Sequence, residues 1–390
     1  MEGFAFSRIP ELIFGAGKFS LLPGILLKQC KNILFVTGKS SFLTTNQAHL
    51  LFEKAKQNDF NYHVLQIGHE PSPEDIDEAV ERYKSNLPNV VVAIGGGSVI
   101  DAGKAISAML LSPEKTIRYL EVVGDLQPTG EKIPFIAIPT TSGTGSEATK
   151  NAVLSCVGSN GYKSSLRHNN YIPDLALIDP ELQLTCPSQQ TACSGMDAFT
   201  QLFESYLSTQ ANPMTDALAL EGISHIVSSL VKVANESPND IKLRSEMAFA
   251  AWLSGITLAN AGLGTVHGFA SSVGSMFNTP HGVVCGTLMA EVNRFTLKRL
   301  LGSEKETFYL KKYATVGKLF TEKEHGSDAY YAHLLVDSLI EMTENLKIPK
   351  LAEYGITSAD LVTIAAKTSN KNNPVQLHSN DLIEILSRRM

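Results

Sequence analysis

The stretch that decides the fold is "VVVAIGGGSVIDAGK", residues 90–104. It opens with a continuous apolar run, passes through three glycines and a serine, and continues into helix-forming residues. A run of this kind marks a strand buried on both faces, which calls for a parallel sheet covered by helices. The glycines let the backbone approach a ligand closely. The free N–H groups at the following helix start, with the helix dipole behind them, form an anion site suited to a pyrophosphate. The G-x-G-x-x-G fingerprint fails at Ile100. Taken by itself, the segment therefore also reads as a glycine-rich turn with no ligand.

The segments around it repeat the pattern. Strands are expected at 32–37, 62–67, 90–94, 134–138 and 175–178, with helical stretches such as 73–86 and 99–110 between them. A second loop, "IAIPTTSGTGSEAT" (136–149), packs hydroxyls around Gly143 and Gly145 after another apolar strand. In a parallel sheet both loops leave at the carboxyl ends of strands, where ligands bind. Beyond about residue 185 the β-rich runs stop, and helical patterns fill the rest. The expected layout is an N-terminal α/β domain over residues 1–185 and an all-helical domain over 186–390. A hinge lies near 179–190, and the site lies in the cleft between the domains.

Bulk properties exclude several classes. With 390 residues, 43% hydrophobic and 18% charged, the chain reads as globular with ample core. Its net charge of −6 gives no pull toward nucleic acid or an anionic membrane. No apolar run is long enough to span a bilayer, and "MEGFAFSRIPELIFG" lacks the pattern of a leader. The five cysteines (Cys30, Cys156, Cys186, Cys193, Cys285) include no CxxC pair. A disulfide framework or cysteine zinc knuckle is not expected, and a reducing cytoplasm fits.

Among ten histidines, His267 and His281 stand apart. They bracket "HGFASSVGSMFNTPHG", and each is followed by glycine. A helix from about 267 to 277 puts His267 at its start, and the "NTPHG" turn brings His281 back toward it. In "GMDAFTQLFESY" (195–206), Asp197, Thr200, Gln201 and Glu204 share one helical face. Two imidazoles and the Asp197 carboxylate would make a three-ligand site for a divalent transition metal, with open positions for substrate. The same spacing also fits a merely solvated helix face and two unrelated histidines.

Taken together and in this order, "GGGSVIDAGK", "IPTTSGTGSEAT", "GMDAFTQLFESY" and "VHG…NTPHG" resemble the iron-containing (group III) alcohol dehydrogenase family. The likeness runs from "IFGAG" (13–17) to "NKNNPVQL…NDLIEIL" (370–386). It implies a dinucleotide-binding α/β domain followed by an all-α domain, the architecture shared with dehydroquinate synthase. It also implies NAD(P)-dependent hydride transfer between a nicotinamide and a primary or secondary alcohol or carbonyl. By motif, Gly96, Gly97 and Ser98 would contact the pyrophosphate, with Asp101 near the cofactor and Lys104 ordering the loop. Thr140, Thr141 and Thr144 would line the cofactor groove, and Lys163 would reach the nicotinamide ribose. Asp197, His267 and His281 match three of the family's four metal ligands and would be the catalytic residues, holding Fe²⁺ or Zn²⁺ against the substrate oxygen.

The chain departs from the family at two places. Where the fourth ligand should be a histidine stands Gln201, and where many members place a relay histidine stands Ser271. Three roles for Gln201 are open. It ligates through its amide oxygen, or three ligands suffice, or the metal is abandoned as in the related maleylacetate reductases. The strand-one end "LFVTGKSS" has Gly38 where NAD-preferring members often carry a carboxylate. Lys39 and Ser40 could then bind a 2′-phosphate, so NADP(H) is expected, with NAD open. Gly38 also fits a plain tight turn. A small alcohol or aldehyde substrate and a homodimer or larger homo-oligomer are expected. A dehydroquinate-synthase-like lyase is a remoter alternative, because the second-half motifs lack the basic cluster that such chemistry needs.

Overall fold

The continuous apolar runs form the inside of one sheet. The structure, a computed structural model, describes residues 3–29, 32–158 and 161–390; Cys30 lies outside them. The described strands are β1 (Glu11–Phe14), β2 (Asn32–Thr37), β3 (Asn61–Gln66), β4 (Val90–Gly95), β5 (Phe135–Pro139), β6 (Asn151–Cys156), β7 (Tyr162–Arg167) and β8 (Leu175–Ile178). Six of them make a sheet in the order β1-β8-β5-β4-β2-β3, parallel throughout. β6 and β7 form a separate antiparallel hairpin. Every residue of β4 and β5 is buried, as strands covered on both faces must be.

Among the described residues four α-helices accompany the sheet: α1 (Leu22–Gln29), α2 (Asn46–Gln57), α3 (Pro73–Tyr83) and α4 (Gly97–Met109). The order of β2, β3 and β4 creates a switch point. From β2 the chain moves outward to β3, whereas β4 slots in on β2's other side and leads on to β5. The loops after β2 and β4 therefore open side by side at the carboxyl edge, the usual place for a ligand in such sheets. β4 and β5 are in register up to Gly95 opposite Pro139, so the second loop emerges beside the first.

Among the described residues nine further α-helices follow: α5 (Ser188–Leu207), α6 (Pro213–Asn235), α7 (Ile241–Ala261), α8 (Thr265–Met276), α9 (His281–Leu300), α10 (Glu306–Gly317), α11 (Asp328–Asn345), α12 (Leu361–Lys367) and α13 (Ser379–Ser387). α5 is the hub, packed against α6, α7 and α9. α6 is long and apolar enough by composition to cross a bilayer. It packs instead on α5 and α7, with Ala219, Ile223, Ile226, Leu230 and Val233 fully buried.

Several boundaries differ from those expected. The helix read at 99–110 begins at Gly97, so Gly97 and Ser98 are its first residues and their N–H groups lack intrahelical partners. The helix read at 73–86 ends at Tyr83. β1 and the β6–β7 hairpin were not expected; β1 is four residues long at a sheet edge, and the hairpin is rich in polar residues. The first residues of the linker read as a hinge, 179–183, are packed, whereas 187–190 are exposed. Asp179, 1% exposed, accepts N–H bonds from Gly17 and Phe19 and caps the short turn at Pro180–Gln183.

The two halves touch through backbone. A Cβ added at Gly255 in α7 would lie 2.1 Å from the Gly145 carbonyl oxygen, and one at Gly145 would lie 2.5 Å from the Ala251 oxygen. Gly145 also has a φ of 58°, in the left-handed region that favours glycine. The "TTSGTGSEAT" loop is thus seated directly on the helical half.

Candidate metal and dinucleotide site

The polar face of α5 is not wet. Asp197, Thr200, Gln201 and Glu204 are 2%, 0%, 2% and 7% exposed. Buried polar groups need partners, and two are spent locally. Thr200 Oγ1 donates to the Met196 carbonyl at 2.7 Å. The Gln201 amide oxygen faces Ser254 Oγ at 3.3 Å. The two carboxylates face elsewhere.

Glu204 organises the start of α8. A bend of 97° separates α7 from α8 and aims the first turn of α8 back at α5. There Glu204 Oε1 accepts the N–H of Val266 at 2.6 Å, and Oε2 takes His267 Nδ1 at 2.7 Å. The carboxylate serves both as an N-terminal cap and as the orienting partner of the ring. The "NKNNP" segment buttresses the same turn: Thr265 Oγ1 donates to Asn370 Oδ1 at 2.9 Å, and Asn372 Nδ2 to the Leu263 carbonyl at 3.3 Å.

With Nδ1–H donated to Glu204, a neutral His267 presents the lone pair of Nε2 on its other side. That nitrogen lies 3.3 Å from Asp197 Oδ1, and His281 Nε2 lies 3.5 Å from the same oxygen. Asp197 Oδ1 is buried and makes no hydrogen bond among the described residues. A carboxylate oxygen and imidazole lone pairs turned toward one another call for a cation. The carboxylate and the two rings also shift one another's acid–base behaviour. Burial works to raise the Asp197 carboxyl, yet the His281 and His267 rings hold it down at about 2. Burial opposes charge on His267, yet Cys285, Asp197 and Glu204 raise it well above the ordinary imidazole range. His281 is pushed down to about 4, chiefly by burial.

The residues fit a divalent metal of the zinc or iron class. Bonds of about 2.0–2.1 Å to N and O in a tetrahedral site put neighbouring donors about 3.3–3.4 Å apart, close to the separations found here.

The same cleft, about 1710 Å³, carries the dinucleotide motifs. Gly38, Lys39, Ser40, Gly96, Gly97, Ser98, Asp101, Thr141, Thr144 and Lys163 line it together with Asp197, Gln201, His267, Ser271 and His281. Thr140 does not; its N–H is tied to the Gly95 carbonyl at 3.0 Å, joining the ends of β5 and β4. Asp101 accepts from Ser146 Oγ and, at 3.1 Å, from the N–H of Val153. Its carboxylate therefore holds the second loop and the start of β6. Lys104, wholly buried, donates to the Ser146 carbonyl, Thr149 Oγ1 and the Asn151 carbonyl at 2.7–2.9 Å, and burial pushes it down to about 8. This is the loop-ordering role expected for it.

Lys163 makes a two-oxygen ion pair with Glu70 at 2.7 and 2.8 Å, a partner that sequence reading missed. Burial works to raise Glu70, and Lys163 overcomes it and keeps its carboxyl low. The Lys39 side chain lies across Gly68; a Cβ there would fall 2.0 Å from Lys39 Cε. Lys39 forms no ion pair among the described residues; it is exposed and lines the cleft. Sequence reading also missed Glu204 and Cys285. Glu204 had a signal, since it shares a helical face with Asp197 and Gln201.

Comparison with known proteins identifies the family. The iron-containing alcohol dehydrogenase profile matches residues 10–180, and the C-terminal profile of the Fe-containing alcohol dehydrogenase family matches residues 191–390. The NADPH-dependent butanol dehydrogenase of Clostridium saccharobutylicum is 32% identical over 96% of this chain and 95% of its own length. The NAD-dependent methanol dehydrogenase of Bacillus methanolicus is 31% identical over 82% of this chain and 83% of its own. The solved alcohol dehydrogenase from Oenococcus oeni superposes with a TM-score of 0.86 at 26% identity, over the whole of both chains. Matched in both halves and aligned with these relatives along most of its length, the chain belongs to the iron-containing alcohol dehydrogenase family.

Proposed function

We propose that the chain interconverts a short alcohol and its aldehyde with NADP(H), using a divalent metal held by Asp197, His267 and His281. Family membership makes it a nicotinamide-dependent oxidoreductase acting on CH–OH groups; the proposal adds the cofactor, the substrate size and the metal ligands. One observation carries it. The buried Asp197 Oδ1, facing two imidazole nitrogens at 3.3 and 3.5 Å, lines the same cleft as the glycine loop of β4. A metal-free reductase would leave that oxygen facing two ring nitrogens with only a proton between them.

The chain's own groups divide the work. The N–H groups of Gly97 and Ser98 at the start of α4, with its dipole, receive the pyrophosphate. Thr141 and Thr144 offer hydroxyls across the groove. Lys39, lining the cleft, supplies a cation for a 2′-phosphate, and Gly38 leaves room beside it. When bound, a divalent metal supplies Lewis-acid stabilisation of charge on the substrate oxygen. In the oxidative direction the alcohol carbon gives a hydride to nicotinamide C4 and the hydroxyl proton leaves separately. Ser271, which lines the same cleft, would offer a hydroxyl to pass that proton toward solvent. The size of the substrate follows the butanol and methanol named for the relatives. A homo-oligomer is carried forward from the sequence, and sedimentation velocity measures it directly.

The test is initial-rate reduction of butanal with NADPH and with NADH by the metal-loaded protein. NADPH is expected to give the higher kcat/KM. Lys39→Glu should cut the NADPH value by about tenfold or more and leave NADH within about threefold. Failure of either cofactor to reduce any short aldehyde overturns the activity; an unchanged cofactor ratio in Lys39→Glu overturns the NADP(H) assignment.

A further inference from the structure

The fourth donor around Asp197 comes from α9. His281 is the first residue of that helix, and Cys285 follows four positions later, on the same face one turn on. Cys285 is fully buried, and its sulfur lies 3.7 Å from His267 Nε2 and 3.7 Å from His281 Nε2. The donor atoms of Asp197, His267, His281 and Cys285 all lie within 4.8 Å of one another. A thiol that donates to one nitrogen and accepts from the other ring's N–H would also sit between them, but it leaves Asp197 Oδ1 without a hydrogen-bond partner among the described residues.

Metal geometry accounts for it. With a sulfur bond of about 2.3 Å and nitrogen bonds of about 2.0–2.1 Å, a tetrahedral site separates S from N by about 3.5–3.6 Å. The residue at the position where the family likeness expects a histidine, Gln201, has its amide oxygen directed at Ser254 Oγ. A buried cysteine commonly acts only as a small apolar filler, and Cys285 does touch the core formed by Val266, Phe269 and Leu288. A filler has no need to bring its sulfur to two imidazole nitrogens beside an unpartnered carboxylate oxygen.

We propose that Cys285 is a metal ligand, completing an Asp197–His267–His281–Cys285 site, with Gln201 outside the ligand set. This rests on the metal reading above. The thiol gives up its proton to solvent as the metal binds. A thiolate among the donors favours zinc over Fe²⁺ relative to an all-imidazole and carboxylate site. Four protein donors restore the number expected from the family.

The test is cobalt substitution followed by absorbance. Chelator-stripped protein titrated with Co²⁺ should bind one ion per chain and show an intense near-ultraviolet thiolate-to-cobalt charge-transfer band. Cys285→Ser should still bind Co²⁺, at an affinity weaker by about tenfold or more, with the band gone. Cys193→Ser, which removes the other buried cysteine among the described residues, should keep the band. Wild-type protein that binds Co²⁺ without the band overturns the Cys285 assignment and leaves the metal reading standing. Failure to bind Co²⁺ at all overturns both, and a band that survives in Cys285→Ser assigns the thiolate elsewhere and overturns the proposal. The wild-type spectrum decides the matter even if Cys285→Ser does not fold.

Discussion

At the scale of single residues, the site works because each polar group answers another. Glu204 takes the His267 Nδ1 proton, which turns the Nε2 lone pair toward Asp197. Removing that partner in Glu204→Ala should weaken metal binding by about 10–100-fold; competition with a chromogenic chelator measures it, and unchanged affinity would reduce Glu204 to a helix cap. Gln201→His should tighten binding if position 201 reaches the metal and leave affinity unchanged if Cys285 already fills the fourth place. The sequence carried the chemistry of Asp197, His267 and His281 but not their meeting. Spacing on one helix could not say whether the α5 face was wet or buried, so joining it to a distant "HG…PHG" left a solvated face and two unrelated histidines equally open until the likeness to a family was added. Glu204 was visible on that face yet unassigned, because its partner comes from another helix. Cys285 carried no signal, since a lone cysteine in an apolar run reads as core.

At the scale of elements, the two halves are held in register by a backbone contact. Gly145 and Gly255 meet with no room for a Cβ, so the loop beside the dinucleotide groove takes its position from α7. Gly255→Ala should destabilise the protein by about 1–3 kcal/mol in urea unfolding and raise KM for the dinucleotide. Gly24→Ala, at an exposed position in α1 with open space around it, should do neither. If Gly255→Ala leaves both stability and KM untouched, the loop does not depend on this contact. The strand–loop–helix units were legible because a parallel sheet demands continuous apolar strands. The hairpin of β6 and β7 was not, because its stability comes from packing on α4 and α8 and not from its own pattern.

At the scale of the molecule, an alternation of strands and helices giving way to helices alone could be read directly, and the sheet and helical half follow it. The buried charges between the loops could not be read. Glu147 is 2% exposed and pushed up to about 7 by burial. Its protonated form suits the fold, so this contribution is complete below the ordinary value of 4.5 and is lost as pH rises through about 7. Glu147→Gln should therefore gain in melting temperature, relative to the parent, between pH 5 and pH 8; a difference that stays constant with pH would contradict it. Metal should act on the whole molecule as well, since an ion bound only to the folded chain raises the melting temperature with concentration. The most direct test of the account is to strip the protein of metal, restore Zn²⁺ or Fe²⁺ in fractions of an equivalent, and follow NADPH-linked butanal reduction at each step. The rate should start near zero, rise in proportion to bound metal and level off at one ion per chain, with Asp197→Ala flat throughout. Full activity in the stripped protein would contradict it.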